Sequence, residues 1–235
     1  MSAPATPPPA AWQTLAAEDL RALAWLHAEE RPPEVLAALY ASGFPATLTV
    51  VSADAAEAQA MDAALRALAS SRCEEDAPDA LPASSTDELA ADYAAIYLTH
   101  ALRASPHESV WRDDDHLMLQ GPTFAVRDFY RRHGVQVPDW RARADDHLVH
   151  ELEFVALLLE RGDEREAARF LKTHLLAWLP DFARRVAQRA ATPFYAALAG
   201  LTLAACEGCQ RRLPSVAALP PVVAAERSAS APGCG

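Results

Sequence analysis

Apolar residues recur every three or four positions over most of this chain, and strict alternation of apolar and polar residues is nearly absent. A period close to 3.6 is typical of an α-helix that buries one face. One clear stripe consists of Leu148, Leu152, Val155 and Leu159. The pattern predicts an all-α fold, a single globular domain of about eight to eleven helices.

Proline and glycine divide the pattern into separate helices. A helix is predicted over Thr14–Glu30, and Pro32-Pro33 then supply the fixed φ with which the next helix begins. Gly134 and Gly162 are expected to end two later helices, and Pro180 is expected to interrupt another. The β-branched run Thr47–Val51 lacks a partner strand, so no strand is predicted there.

Composition suggests where the helical domain begins and ends. Ser71–Ser84 is rich in Ser, Pro, Asp and Glu, which predicts a surface loop after the helix expected over Ala53–Ser70. Both ends of the chain are rich in Pro and Ala and show little periodicity. We therefore expect flexible tails over 1–13 and 210–235, and a helical domain over 14–209 with a linker near 135–146.

Charge and composition exclude several classes of protein. The chain has 21 Lys and Arg residues against 32 Asp and Glu, a formal net charge of -11, which argues against nucleic-acid binding and favours basic partners. No apolar run approaches the roughly 18 residues of a membrane span, and the start shows no secretory signal, so a cytoplasmic protein without membrane insertion is expected. The four cysteines are too few and too unevenly spaced for a disulfide framework.

Two groups of residues raise the alternative of a metal- or thiol-dependent redox protein. His147, His150 and Glu151 lie on one side of a predicted helix, and Cys206 and Cys209 have the spacing of a thiol pair or half a zinc site. The further ligands and the βαβ setting that such sites require are missing. Capping and packing roles are therefore favoured, and neither a cofactor nor a catalytic residue is predicted.

Acidic and aromatic residues are concentrated between Glu108 and Glu153. Carboxylates can hold guanidinium groups through paired hydrogen bonds, while aromatic side chains accept apolar ones. The mixture suits a groove that binds a basic, partly apolar peptide.

Several motifs, taken in order, resemble the TorD/DmsD/NarJ family of redox-enzyme maturation chaperones. The motifs are Tyr93-x-x-Ile96-Tyr97, Pro106-His107-Glu108-Ser109-Val110-Trp111, Tyr130-x-x-His133-Gly134-Val135, Asp146-His147-Leu148 with Glu151-Leu152-Glu153-Phe154, and Phe170-Leu171-x-x-His174-Leu175-x-x-Trp178. The family's Glu-Pro-Asp-His motif stands here as Ala144-Asp145-Asp146-His147, so its Asp-His half is retained. With the proline absent, Asp145 is a candidate N-cap for the following helix.

The resemblance implies a cytoplasmic, all-helical chaperone that is not an enzyme. Such a protein binds the catalytic subunit of a molybdopterin-containing oxidoreductase, through its twin-arginine signal peptide or a segment of the apoenzyme, and assists cofactor loading and assembly before export. It also implies a monomer or a homodimer that exchanges helices across the linker. The peptide-binding residues implied for this chain are Tyr93, Glu108, Ser109, Trp111, Asp146, His147 and Glu151.

Overall fold

In the computed structural model, which describes residues 11–75 and 84–215, every regular element is helical. The helices are α1 (Ala11–Ala28), α2 (Pro33–Ala41), α3 (Ala56–Glu75), α4 (Ser84–Tyr93), α5 (Glu108–Arg112), α6 (Gly121–Arg132), α7 (Leu148–Glu160), α8 (Glu164–Phe170), α9 (Leu176–Arg189) and α10 (Pro193–Arg212). A π-helical turn, Ala94–Leu98, continues α4, and a second, Leu171–Leu175, joins α8 to α9. The prediction of an all-α fold is confirmed.

The helical domain extends slightly beyond its predicted limits. α1 begins at Ala11 and α10 continues to Arg212, so both predicted tail boundaries fall inside a helix. α3 likewise continues to Glu75, into the segment expected to be a loop. The rest of the predicted tails, residues 1–10 and 216–235, and residues 76–83 of the predicted loop lie outside the described residues.

The core forms where α1 packs along α7 and where α10 packs against α9, α3 and α1. The predicted stripe of α7 is fully buried, from Leu148 to Leu159. Gly134 and Gly162 follow the ends of α6 and α7 with φ of 70° and 73°, a conformation that glycine adopts without steric cost. Across the described ranges, no helix combines the length and apolar character needed to cross a membrane.

The expectation that Pro180 interrupts a helix is wrong, because α9 continues through it from Leu176 to Arg189. In a regular helix the proline ring collides with the carbonyl four residues earlier, here that of Leu176. Leu176 ends the π-helical turn with ψ of -6°, which rotates this carbonyl away from its regular helical direction. The irregular turn thus accommodates the proline.

Buried aspartates connect segments that are distant in the sequence. Asp19 accepts hydrogen bonds from the backbone N–H of Thr49 at 2.7 Å and of Val50 at 3.1 Å. Asp92 likewise accepts from the N–H of Thr192 at 2.7 Å, at the N-terminus of α10. The first of these contacts orders the segment between α2 and α3, in which, as predicted, no strand forms.

Gly208 lets this segment approach α10 closely. A Cβ atom at Gly208 would lie 2.1 Å from the carbonyl oxygen of Val50, far inside van der Waals contact. The glycine within Cys206-Glu207-Gly208-Cys209 is therefore required by packing. This requirement accounts for part of a motif that otherwise suggests thiol chemistry.

Candidate functional site

Two segments that carry the sequence motifs are joined backbone to backbone. The N–H of Glu108 donates to the carbonyl of Asp146 at 3.0 Å, and the N–H of Leu148 donates to the carbonyl of Pro106 at 2.8 Å. The pairing forms an isolated antiparallel bridge between His107 and His147, immediately before α5 and α7 begin. We call this arrangement, over 106–109 and 146–149, the cross-brace.

Asp146 completes the cross-brace with its side chain. Its Oδ2 accepts a hydrogen bond from the backbone N–H of Ser109 at 2.9 Å, and so satisfies a free donor at the start of α5. Burial raises the pKa of Asp146, and the hydrogen bond from the backbone N–H of Ser109 offsets part of that rise. The Asp-His motif therefore stabilises the start of α5 as well as that of α7.

His147, rather than Asp145, is the N-cap of α7. Its Nδ1 accepts a hydrogen bond from the backbone N–H of Val149 at 3.1 Å, which requires a neutral ring with Nδ1 unprotonated. Asp145 instead receives two hydrogen bonds from Arg127, at 2.7 and 3.0 Å. The expectation that Asp145 replaces the missing proline as N-cap is therefore wrong.

Glu108 is fully buried between two cationic or polar partners. The Arg112 guanidinium donates to its Oε1 at 2.6 Å, and Nδ1 of His174 lies 2.9 Å from its Oε2. His174 belongs to the π-helical turn Leu171–Leu175, and a locally widened turn of this kind is frequent at functional sites. The irregular turn thus supplies a partner for a carboxylate that would be costly to bury alone.

Glu151 is also fully buried, and it accepts a hydrogen bond from Nε1 of Trp178 at 3.1 Å. Burial, followed by the neighbouring charges of Glu108 and Asp146, raises the pKa of Glu151 well above its usual range. Three carboxyl groups therefore converge at the cross-brace, and burial there favours the protonated form of Glu151.

Four histidine rings follow one another across this region. The ring centroids of His100 and His107 are 5.8 Å apart, those of His107 and His147 4.9 Å, and those of His147 and His150 6.3 Å. Burial, reinforced by the neighbouring His100, lowers the pKa of His107 to about 3. Burial and the neighbouring His107 lower the pKa of His147 well below its usual value, so both rings are neutral at physiological pH.

The structure brings the seven predicted site residues close to the cross-brace but places them at different depths. Glu108, Ser109, Asp146 and Glu151 have exposed fractions of 0%, beneath the surface rather than on the wall of an open cleft. Tyr93, Trp111 and His147 lie higher and line cavities. Direct contact of the four buried residues with a peptide stays a prediction.

Two cavities open above the cross-brace. The Tyr97 cavity, of about 530 Å³, is lined by His27, Ala28, Tyr93, Tyr97, Leu98, His100, His107, Met118, Leu119, Trp140, Arg141, Ala142, Arg143, Ala144 and His147. The Trp111 cavity, of about 710 Å³, is lined by His100, Arg103, Ser105, Val110, Trp111, His116, Leu117, Met118 and Arg185. His100 and Met118 line both, so the two cavities lie side by side, and we call them together the client groove.

Irregular backbone positions the walls of the client groove. Tyr97 and Leu98 come from the π-helical turn that ends α4, and the ring of Tyr97 stacks on that of Tyr93 with centroids 4.9 Å apart. Four residues without the freedom of glycine have positive φ, between 51° and 60°, and all four line the groove: His100, Arg103, His116 and Leu119. Such conformations are costly, and they cluster at functional sites.

Exposed apolar side chains mark the same groove. Leu98, Leu117, Met118 and Leu119 have exposed fractions of 66%, 54%, 39% and 42%. An exposed apolar strip of this kind is typical of a binding surface. Sequence reasoning missed these residues because they lie outside periodic helices; the signal was three consecutive apolar residues, 117–119, within a polar segment.

The charges that line the client groove are cationic rather than acidic. Among the described residues, the lining includes Arg103, Arg141, Arg143 and Arg185 and no Asp or Glu. Exposed acidic residues are adjacent in sequence to lining residues. Glu29 and Glu30 directly follow Ala28, which lines the Tyr97 cavity. Asp114 and Asp115 directly precede His116, which lines the Trp111 cavity.

The alternative of a metal or thiol site finds no support in this geometry. Within residues 11–75 and 84–215, no three His, Cys, Asp or Glu side chains come together as metal ligands would. Cys206 and Cys209 are both buried, and burial raises the pKa of Cys206 well above its usual value and that of Cys209 to about 12. Because the thiolate is the reactive form, this environment disfavours thiol chemistry.

Comparisons with known proteins agree with the arrangement of the motifs. The model of the nitrate reductase delta subunit family matches residues 54–184. A chaperone protein TorD from Vibrio vulnificus is 32% identical over 131 residues, 51% of this chain and 61% of the relative. A Tat proofreading chaperone DmsD from Salmonella typhi is 35% identical over 108 residues, 45% of this chain and 53% of the relative.

The aligned region spans about half to three fifths of the length of these relatives. The region that the family model matches, residues 54–184, includes both halves of the cross-brace. It also includes the residues that line the Trp111 cavity up to Met118. Because that match covers more than half of the chain, the protein belongs to the nitrate reductase delta subunit family, that of the TorD and DmsD chaperones.

Proposed function

We propose that this protein is a cytoplasmic chaperone for the catalytic subunit of a molybdopterin-containing oxidoreductase. It binds the immature subunit, through a twin-arginine signal peptide or a segment of the apoenzyme, and assists cofactor loading and assembly before export. The observation that carries the proposal is the client groove: an exposed apolar strip, on strained backbone, above the paired sequence motifs. The names of two relatives, a TorD chaperone and a Tat proofreading chaperone, support it.

The predicted peptide-binding residues divide into two roles in this proposal. Tyr93, Trp111 and His147 contact the client, since each lines a cavity of the groove. Glu108, Ser109, Asp146 and Glu151 position the groove from below, through the cross-brace and its hydrogen bonds. The protein acts by binding and not as an enzyme.

In this proposal, Glu29 and Glu30 bind the arginine pair of the signal peptide, and the buried carboxyls of Glu108, Asp146 and Glu151 do not. Both are exposed, and both lie close enough to Tyr93 for their charges to raise its pKa, although burial is the larger cause. Glu29 also lies 3.2 Å from Arg31, whose guanidinium is held over the Trp25 ring, but the Glu29 carboxylate is itself exposed and accessible to a guanidinium from the client.

A monomer or a helix-exchanged homodimer remains the proposed state of assembly. The linker over 135–138 supports the exchange, because Val135, Gln136 and Val137 line two cavities of about 350 and 310 Å³. A segment with space on two sides makes fewer contacts that hold it in one path.

Titration calorimetry with synthetic peptides tests the proposal. One peptide carries two consecutive arginines followed by an apolar stretch, and a matched peptide carries two lysines. We expect the arginine peptide to bind at least tenfold more tightly, because a guanidinium forms paired hydrogen bonds with a carboxylate and an ammonium does not.

Matched variants locate the contact. Glu29→Gln with Glu30→Gln is expected to abolish the preference for arginine, whereas Glu18→Gln with Glu34→Gln changes net charge equally and leaves it intact; both control residues are exposed. Equal or absent binding of both peptides would remove the signal-peptide form of the proposal. Binding of an apoenzyme segment that lacks the arginine pair would then be the form to test.

A further inference from the structure

The Trp111 cavity combines an apolar wall with two arginines. Val110, Trp111, Leu117 and Met118 supply apolar surface, and Nε1 of Trp111 donates to the carbonyl of Ser105 at 2.8 Å, which fixes the indole ring. Arg103 and Arg185 lie on the same lining. At about 710 Å³, the cavity is large enough to receive a side chain together with its neighbours in a peptide.

Neither arginine has a carboxylate partner among the described residues. The Arg185 guanidinium lies 5.7 Å from the centre of the Trp111 ring, and its Nη1 is 3.4 Å from the carbonyl of Arg103. Of the nearby arginines, Arg112 pairs with Glu108 and Arg184 with Asp181, whereas Arg189 donates to the carbonyl of Leu102. In a chain with a net charge of -11, Arg103 and Arg185 thus give this apolar cavity a cationic lining with guanidinium donors that no acid occupies.

The backbone around the arginines is held in a costly conformation. His100, Arg103 and His116 have φ of 54°, 51° and 55°, and all three line this cavity. Residues other than glycine adopt this conformation at an energetic cost, which the surrounding structure has to offset. The loop therefore presents Arg103 in a fixed position and does not merely leave it exposed.

We propose that the Trp111 cavity binds an acidic and apolar segment of the client, in which a carboxylate adjoins a large apolar side chain. The apolar side chain packs against Trp111 and Met118, and the carboxylate pairs with Arg103 and Arg185. This inference rests on the proposed function, since it names the client chemistry that one end of the client groove takes. A guanidinium fits a carboxylate bidentately, and a client carboxylate supplies the partner that the fold leaves out.

The inference assigns opposite charge preferences to the two ends of the client groove. Both cavities have arginines on their lining, but exposed acids, Glu29 and Glu30, directly follow the lining only at the Tyr97 cavity, whereas Arg103 and Arg185 line the Trp111 cavity. Asp114 and Asp115 are near the Trp111 cavity in sequence but do not line it. A basic segment and an acidic segment would therefore bind at different places, and the groove would select for their order along the client.

Selection from a displayed library of random 12-residue peptides tests this inference without a known client. The library is selected against the full chain, against the Arg103→Gln, Arg185→Gln double variant, and against an Arg165→Gln, Arg184→Gln control. Arg165 and Arg184 are exposed and lie outside both cavities, and their loss changes the net charge by the same amount. Circular dichroism confirms that each variant is folded.

We expect the wild-type chain and the control to enrich peptides in which Asp or Glu adjoins Leu, Phe, Trp or Met. A selected peptide, made synthetically, is expected to bind the Arg103→Gln, Arg185→Gln variant at least tenfold more weakly, and replacing its acids by Gln is expected to cause a similar loss. Selection without acid enrichment, or equal affinity for the double variant, overturns the inference. Binding of free indole-3-acetate to the wild-type chain, without binding of any selected peptide, also overturns the inference.

Titration of the twin-arginine peptide against the same variants separates this inference from the proposed function. We expect the Arg103→Gln, Arg185→Gln variant to retain the preference for the twin-arginine peptide over the twin-lysine peptide, because Glu29 and Glu30 are unchanged. Absence of acid selectivity in the wild-type chain, with twin-arginine binding present, overturns the inference and leaves the signal-peptide proposal standing. Absence of twin-arginine binding with acid selectivity retained contradicts the signal-peptide proposal alone.

Discussion

The carboxylate of Asp146 accepts a hydrogen bond from the backbone N–H of Ser109, 37 residues earlier in the chain, at 2.9 Å. We expect Asp146→Ala to lower the free energy of unfolding by about 2–3 kcal/mol, because a buried N–H is left without an acceptor. Asp146→Asn keeps an oxygen at the same place and is expected to cost less than the alanine variant. Urea denaturation followed by circular dichroism measures both.

Asp128 provides the control for this prediction, because it lies exposed on α6. Asp128→Ala is expected to change stability by less than about 0.5 kcal/mol. Equal stability of Asp146→Ala and the wild type would show that the cross-brace does not depend on this side chain.

Gly208→Ala is expected to destabilise the protein by about 3 kcal/mol or more, because the new Cβ would meet the Val50 carbonyl oxygen at 2.1 Å and neither backbone can easily move. Gly200→Ala, in the same helix, places its Cβ 3.8 Å from the Glu57 side chain, an ordinary contact. It is expected to raise stability by up to about 1 kcal/mol through helix propensity. In thermal denaturation, the melting temperature of Gly208→Ala should therefore fall and that of Gly200→Ala should rise. Melting temperatures that shift in the same direction would contradict the close approach.

His27 makes stability depend on acid pH. Its ring lies 2.5 Å from the Tyr97 hydroxyl and 2.9 Å from that of Thr202, and burial lowers the pKa of His27 to about 3. Since the unfolded chain binds a proton at this residue near pH 6.5 and the folded chain does not, the free energy of unfolding falls as pH decreases below about 6.5. This residue alone should remove about 2 kcal/mol between pH 7 and pH 5.

A His27→Gln variant isolates that contribution. It should be less stable than the wild type at pH 7 and lose less stability on acidification, whereas His116→Asn, at an exposed histidine, should retain the wild-type slope. Parallel curves for wild type and His27→Gln in denaturant titrations from pH 7 to pH 5 would contradict the assignment.

Glu151 and Glu153 are two residues apart and should respond to pH in opposite directions. Burial and the nearby acids raise the pKa of Glu151, so ionisation of this group destabilises the fold as pH increases above about 4.5. The imidazole of His150, whose Nδ1 lies 3.8 Å from the Glu153 carboxylate, lowers the pKa of Glu153, so that group stabilises the fold at neutral pH and ceases to do so in acid. Glu151→Gln should therefore gain stability relative to wild type from pH 4 to pH 8, and Glu153→Gln should lose it. Identical pH profiles for the two variants would show that burial does not distinguish these carboxyls.

The helices could largely be predicted from sequence, because local chemistry decides them. The stripe of α7 and the glycines at 134 and 162 each act within a few residues, and each has the predicted place. Pro180 shows where local reasoning fails. Its rule assumes a regular helix, whereas the π-helical turn that accommodates it is a product of packing.

The candidate site was only partly predictable for a related reason. The motifs indicated that Glu108, Asp146 and Glu151 belong together, and they do converge. Their depth was not foreseeable, because a carboxylate is normally exposed, and burial here depends on partners such as His174 and Trp178 from distant helices. Arg185 likewise joins Trp111 only through the docking of α9.

The cross-brace has a consequence for cutting the chain. Each of its two helix starts is completed by backbone atoms of the other, so a break in the exposed stretch 113–119 would yield two pieces that each expose an unfinished first turn. Such pieces should regain native structure when mixed, and neither should do so by itself. Split-protein complementation would then report directly on whether this single backbone junction governs the assembly of the whole bundle.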